Sequence, residues 1–81
     1  MKVLETKADF DTLVAENPKV IVDYWATWCG PCLNAAPKVE AMQADFPDVV
    51  FAKCDVDENT ETAEAAGISA MPTFKAYKDG Q

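Results

Sequence analysis

The sequence predicts an α/β domain in which strands and helices alternate along the chain. Short apolar runs of strand length are separated by segments whose apolar residues recur at helical spacing. Pro, Gly, Asn and Asp lie at the junctions, where turns are expected. The order of the elements, strand-helix-strand-helix-strand-helix-strand, predicts parallel pairing with helices on the faces of the sheet. We expect residues 1–81 to form a single small domain, because a chain of 81 residues has room for one core.

The first strand is predicted from a run of a few residues near the N-terminus, and the first helix from an N-terminal capping motif. Lys2 to Thr6 is typical of a short strand. Thr6-Lys7-Ala8-Asp9 has the spacing of a capping box, so a helix begins there and ends at Asn17-Pro18. The apolar face of this helix is formed by Phe10, Leu13 and Val14.

The second strand, Val20 to Trp25, is apolar except for Asp23, as expected for a strand buried on both faces. A helix follows, with Pro37 inside it. Its apolar stripe consists of Cys32, Ala36, Val39, Met42 and Phe46.

Residues 49–81 predict two more strands and a short helix. Val49 to Val56 is the third strand, and Thr60 to Ala66 is a helix closed by Gly67. Thr73 to Lys78 is the fourth strand, followed by a hairpin turn at Asp79-Gly80.

Charge and hydropathy restrict the partners and the compartment. The net charge of −7 argues against nucleic acid and anionic membrane surfaces as partners. No segment approaches the roughly 18 apolar residues of a membrane span. The N-terminal residues 1–5 lack the apolar core of a signal peptide, so we expect a cytoplasmic protein.

Two cysteines three residues apart, Cys29 and Cys32, lie between the second strand and the second helix. This spacing suits reversible disulfide exchange. A zinc site is the alternative, but it needs four Cys or His ligands, and the chain has three cysteines and no histidine. We therefore expect a redox dithiol with neither metal nor bound cofactor. Cys54 is expected to be a small core residue rather than a regulatory or ligand thiol.

The helical pattern assigns different roles to the two thiols. Cys32 begins the buried face, whereas Cys29 lies at the helix N-terminus, where amide donors and the helix dipole stabilise a thiolate. Cys29 is therefore expected to be the exposed nucleophile and Cys32 the sheltered resolving thiol. Gly30 is expected to permit a tight turn, and Pro31 suits the first helical turn. A static disulfide is the alternative, but so short a loop contributes little stability.

Two charged residues lie within predicted strands. Burial of Asp23 would raise the pKa of its carboxyl and make it a proton carrier, although a hydrogen-bonded structural role remains open. Lys53 in the third strand would lie near Asp23 if the two strands pair, or else it faces solvent. Met71-Pro72-Thr73 precedes the fourth strand, and the sequence alone does not set the isomer of the proline.

Taken together, these motifs resemble the thioredoxin family over all 81 residues. The similar segments are Val22 to Cys32, Ala36-Pro37-Lys38, Lys53 to Asp57, and Gly67 to Phe74. The resemblance implies the thioredoxin fold, with a central mixed β-sheet flanked by helices.

The resemblance also implies roles for the site residues. Cys29 would be the attacking thiol, Cys32 the resolving thiol, and Asp23 the buried acid/base with Lys53 beside it. Met71 would precede a cis-proline. The substrate groove would be formed by Trp28, Gly30, Pro31, Ala70, Met71 and Pro72. The implied partners are protein disulfides and a flavoprotein thioredoxin reductase that uses NADPH.

Two features depart from the family pattern. Leu33 follows the second cysteine where a basic residue is common, which would weaken docking to acidic partners. The sequence ends at Gln81, whereas the family continues through another strand and a C-terminal helix. We therefore expect Thr73 to Lys78 to be an edge strand that is available for homodimer formation.

The function predicted from the sequence is that of a thioredoxin-type protein-disulfide reductase, which carries electrons and maintains cell redox homeostasis. The alternatives are a disulfide oxidase or isomerase, a catalytically weak binding module on the same fold, and a metal or iron–sulfur site shared between two chains.

Overall fold

The computed structural model describes residues 1–81. Its elements, in chain order, are β1 (Lys2–Val3), α1 (Lys7–Glu16), β2 (Lys19–Trp25), α2 (Gly30–Met42), a single 3-10 turn (Gln43–Asp45), β3 (Val50–Asp55), α3 (Thr60–Ala65) and β4 (Thr73–Lys78). The predicted alternation of strands and helices is confirmed. β1 is shorter than expected, because Thr6 serves as the N-cap of α1 instead of extending the strand.

The four strands form one mixed sheet in the order β1-β3-β2-β4. β3 pairs in parallel with β1 and with β2, whereas β4 pairs antiparallel with β2. The mixed sheet implied by the resemblance is confirmed, and the parallel pairing expected from element order is wrong for β4. β4 begins at the same end of the sheet at which β3 ends, since Thr73 and Cys54 both pair with Tyr24. The connection through α3 therefore returns the chain to the end of the sheet where it left β3, and β4 runs antiparallel to β2.

One face of the sheet carries the main core. Alternation along β2 directs Val20, Val22 and Tyr24 to this face, where α1 contributes Leu13. Cys54 of β3 is fully buried in the same core, as expected. Partly buried residues of α1, of the C-cap of α3 and of β4 complete the packing, among them Phe10, Ala66 and Tyr77.

The opposite face lies under α2, which buries only Cys32 and Val39. The predicted apolar stripe of α2 is therefore wrong at three positions. Ala36 is exposed, and Met42 and Phe46 are 42% and 47% exposed, with Phe46 beyond the end of the helix. The physical reason is that α2 covers only part of this face. The rest is an open apolar groove of about 400 Å³, lined mainly by Ile21, Val39, Met42, Phe51 and Phe74.

Turns at the ends of α3 and β4 agree with the sequence. Gly67 has a φ of +71° and follows α3, and Ile68 N–H donates to the carbonyl of Ala63, which closes the helix. Asp79 and Gly80 both have positive φ, and Lys78 and Gln81 exchange two backbone hydrogen bonds across them. The hairpin turn is confirmed.

The helices of the structure are too short or too polar for any of them to span a membrane.

Candidate active site

The end of β2 and the start of α2 place both thiols of the Cys-x-x-Cys motif. Cys29 is the N-cap residue of α2, and its Sγ accepts a hydrogen bond from the backbone N–H of Cys32 at 3.2 Å. Pro31 occupies the first turn, where a missing backbone donor costs nothing. The predicted position of Cys29 at the helix N-terminus is confirmed. A sulfur that accepts an amide hydrogen there is well placed to carry negative charge.

Cys29 and Cys32 form a disulfide, with their Cα atoms 5.2 Å apart. The structure is therefore that of the oxidised protein. Both residues are buried, at 5% and 3% exposure, so the expected exposure of Cys29 is wrong for this form. The cause is local packing, since Ala26 and Met71 enclose the disulfide together with Trp25 and Val56.

Gly30 has a different role from the expected one. Its φ lies outside the left-handed region, and a Cβ built on it would meet no atom within 4 Å. The backbone therefore does not require glycine for a tight turn at this position. What the glycine provides is open space at the first turn of α2, directly beside Cys29.

Asp23 is buried beneath α2, at 6% exposure, and its Oδ1 has no hydrogen-bond partner. Desolvation raises the pKa of this carboxyl above its ordinary value, and the positive charge of Lys53 lowers it in part. A structural aspartate would be hydrogen-bonded, so the unpartnered oxygen favours the proton-carrier interpretation.

Lys53 is the register partner of Asp23 across the parallel β2–β3 pair, so the two side chains share one face of the sheet. The side chain is partly buried, and Nζ lies 5.6 Å from the centroid of the Trp25 ring. No ion pair within 4.0 Å joins it to Asp23. Asp23, Lys53 and Cys32 all line one cavity of about 210 Å³. The structure thus brings a carboxyl, an ammonium group and one of the two sulfurs into a common space.

The residues predicted to form the substrate groove belong to two segments near the disulfide. One contains Trp28, and the other is Ala70–Met71–Pro72. Trp28 is 67% exposed, and its Nε1 donates a hydrogen bond to Asp57 Oδ2 at 2.8 Å. Met71 packs against the disulfide cluster, and the Met71–Pro72 bond is cis, as the resemblance implied. Ala70 is exposed, and its carbonyl accepts a hydrogen bond from the Thr73 hydroxyl.

Sequence reasoning missed two residues near the site. Asp57 fixes the indole of Trp28 and belongs to a segment that resembles the family, but no sequence signal joins it to Trp28. Glu40 lines the cavity beside Asp23. It lies eight residues after Cys32, on a helix whose orientation over the sheet is set only in the folded chain.

An α/β fold with a disulfide at a helix N-terminus, a buried carboxyl and an adjoining cis-proline defines a dithiol–disulfide oxidoreductase. Comparison with known proteins agrees with this class. The family model described as Thioredoxin matches residues 1–81.

Relatives and solved structures give the same assignment. A thioredoxin of Geodia cydonium is 58% identical over 80 residues, which cover 96% of this chain and 76% of the relative. The mitochondrial thioredoxin-3 of Saccharomyces cerevisiae is 44% identical and covers 96% of this chain and 61% of its own length. The structure of Plasmodium falciparum thioredoxin superposes with a TM-score of 0.98 at 44% identity, covering 100% of this chain and 79% of that one.

This chain belongs to the thioredoxin family. It is a protein-disulfide reductase that acts through the Cys29–Cys32 pair. Membership of the family implies protein disulfides as substrates and a reductase as a partner.

Proposed function

We propose that Cys29 and Cys32 perform successive steps of protein-disulfide reduction. The Cys29 thiolate attacks one sulfur of the target disulfide, forming a mixed disulfide and releasing the other target sulfur as a thiolate. The Cys32 thiolate then attacks Cys29 Sγ, which releases the second target thiol and leaves the Cys29–Cys32 disulfide. Two electrons pass from the dithiol to the target. The N-cap position of Cys29 supports this division, because only that sulfur accepts an amide hydrogen.

Asp23 and Lys53 assist the second step. The Cys32 thiol must lose its proton before it attacks, and Asp23 is the carboxyl that lines the same cavity. A carboxylate with a raised pKa is a better proton acceptor near neutral pH than an ordinary aspartate. Lys53 limits that rise through its positive charge.

The target binds over Cys29, between Trp28 and the Ala70–Met71–Pro72 segment, and local movement of the enclosing residues gives it access to the buried sulfur. Gly30 and Pro31 leave room for the approaching target, since no side chain occupies the space over Gly30. Leu33, which is 51% exposed, stands where a basic residue would otherwise attract acidic targets.

The disulfide is reduced again by a flavoprotein thioredoxin reductase that takes its electrons from NADPH. We place this electron-carrying cycle in the cytoplasm, where it contributes to redox homeostasis. Residues 1–81 act as one domain, and two copies of the 81-residue chain pair through the outer edge of β4, which has no neighbouring strand.

The observation that carries the proposal is the Cys29–Cys32 disulfide at the start of α2. The test is insulin reduction with dithiothreitol as electron donor. We expect the wild-type chain to accelerate precipitation of insulin, and Cys29→Ser to abolish the acceleration. A wild-type rate equal to the uncatalysed rate would identify a binding module and refute the proposal. A strongly oxidising redox potential would instead indicate a disulfide oxidase.

A further inference from the structure

The cavity that contains Asp23, Cys32 and Lys53 is also lined by Glu40 of α2 and by Met1. Glu40 is exposed, and its Oε1 lies 3.4 Å from the α-amino group of Met1 and accepts a hydrogen bond from Gln43 Nε2 at 3.1 Å. The cavity therefore contains two carboxyl groups, one buried at Asp23 and one exposed at Glu40. The proposed reaction uses only the first.

Lys53 acts electrostatically on both carboxyls. Its positive charge lowers the pKa of Asp23, and it contributes, after Gln43 and the N-terminal ammonium, to the lowered pKa of Glu40. Its Nζ forms no ion pair within 4.0 Å with either residue. A long, flexible lysine side chain can place its ammonium group nearer to one or the other of two carboxylates. Its electrostatic effect on each carboxylate depends on that position and on solvation.

We propose that Glu40 is a positioning residue for the proton step: it draws the Lys53 ammonium toward the exposed end of the cavity and thereby leaves Asp23 without a close counter-charge. This inference rests on the proposed role of Asp23. A close ion pair with Lys53 would hold Asp23 in its ionised form and weaken it as a proton acceptor. Glu40 thus preserves the basicity that Asp23 needs.

The other groups that line the cavity around Asp23 do not take the place of Lys53 as a counter-charge to its carboxyl. α2 contributes Cys32, which is neutral in the disulfide, as well as Glu40. β3 contributes Lys53, and the N-terminal ammonium of Met1 is held by Glu40. The register partner of Asp23 on β4 is Phe74, which carries no charge. Glu40 therefore faces two cations in this cavity, the Met1 ammonium and Lys53, and Lys53 is the one whose charge acts on the Asp23 carboxyl.

The test is a pH titration of the isotope-labelled Asp23 carboxyl by NMR in the oxidised chain. We expect Glu40→Gln to displace the midpoint of Asp23 to lower pH, because Lys53 is then free to approach it. In the Lys53→Met background the same substitution should lose most of this displacement. Glu64→Gln is the matched control, since Glu64 is exposed on α3, which packs beside α1, and does not line the cavity. That variant removes the same charge without altering the cavity.

Three results would overturn the proposal. They are an unchanged Asp23 midpoint in Glu40→Gln, a displacement no larger than that of Glu64→Gln, and a displacement that persists in full in the Lys53→Met background. The last result would mean that Glu40 acts by direct repulsion and not through Lys53. Failure of the proposed function is separable, because it would appear as unaltered insulin reduction in Asp23→Ala, a measurement that does not involve Glu40.

Discussion

Asp23, the proton acceptor of the proposed reaction, is expected to lower the stability of the folded protein. Its carboxyl is buried, one oxygen has no hydrogen-bond partner, and desolvation raises its pKa. Ionising a buried carboxyl costs free energy, because the charge is removed from water. A solvent-exposed aspartate ionises without this cost. A residue of this kind is expected where a proton must be exchanged near neutral pH.

Replacing Asp23 by alanine is expected to stabilise the oxidised protein near pH 7 by about 1–3 kcal/mol, the range for relieving an unsatisfied buried polar group. The folded pKa of Asp23 lies above the unfolded value, so its contribution to stability is retained below the unfolded pKa and lost as pH rises through the folded pKa. Urea unfolding at a series of pH values measures this. The stability difference between variant and wild type should grow with pH, and a destabilised variant at pH 7 would contradict the account.

Two glycines should respond in opposite ways to substitution by alanine. Gly30→Ala is expected to stabilise the fold by about 0.4–1 kcal/mol, because alanine restricts the unfolded chain and the position has space for a Cβ. Gly67→Ala should destabilise the fold by about 1 kcal/mol, because its φ of +71° is unfavourable for alanine. Thermal unfolding of both variants provides the comparison. A destabilised Gly30→Ala would restore the tight-turn explanation for this residue.

At the scale of single elements, α1 begins with a complete capping box. Thr6 Oγ1 accepts a hydrogen bond from Asp9 N–H at 3.1 Å, and Asp9 Oδ2 accepts one from Thr6 N–H at 3.2 Å. Aspartate replaces the glutamate that is usual at the third position. Its shorter side chain still reaches the N-cap backbone, so two otherwise unpaired amide groups are satisfied.

Thr6→Ala should therefore cost about 0.5–2 kcal/mol, the usual range for loss of an N-cap. Thr60→Ala is the matched control, because Thr60 is an exposed threonine at the first position of α3 that serves as no cap. The free energy of unfolding in urea should separate the two variants. Equal effects would show that the cap contributes nothing beyond helix propensity.

The elements that the sequence predicted correctly are those with local signals. The box at Thr6, the glycine after α3 and the apolar run of β2 each act within a few residues of the chain. The direction of β4 and the exposure of Met42 and Phe46 were not predictable in this way. They depend on where β4 joins the sheet and on how much of one face α2 covers, and both are set by contacts between distant segments.

The same distinction applies to the site. Cys29, Cys32 and the burial of Asp23 follow from spacing and from strand composition. The position of Lys53 beside Asp23 depends on the register of the β2–β3 pair. From the sequence it could be predicted only on the condition that these two strands pair. Asp57 and Glu40 reach their partners across 29 and 39 residues of chain, so no local pattern marks them.

At the scale of the whole molecule, one side of the sheet has a core and the other remains partly uncovered. The outer edge of β4 has no neighbouring strand, and the apolar groove beside it contains Phe74, which is 45% exposed. An unpaired edge next to apolar surface favours association with another copy of the chain.

We expect the apparent mass of the 81-residue chain to rise with concentration in light scattering. Phe74→Lys should reduce this rise, since a charged side chain on an edge strand opposes pairing. Phe46→Lys is the matched control, because Phe46 is similarly exposed but lies outside the groove. A monomer at all concentrations, with ordinary stability in urea, would contradict the expectation.

Cys29 and Cys32 are expected to have unequal roles in the reaction, because Cys29 lies at the start of α2. The most direct measurement is trapping of mixed disulfides from a mixture of disulfide-containing proteins, followed by non-reducing electrophoresis and mass spectrometry. Cys32→Ser should accumulate covalent adducts through Cys29, because attack proceeds and resolution fails. Cys29→Ser should form none. Adducts through Cys32 or Cys54 in the Cys29→Ser variant, or no adducts in Cys32→Ser, would contradict the account.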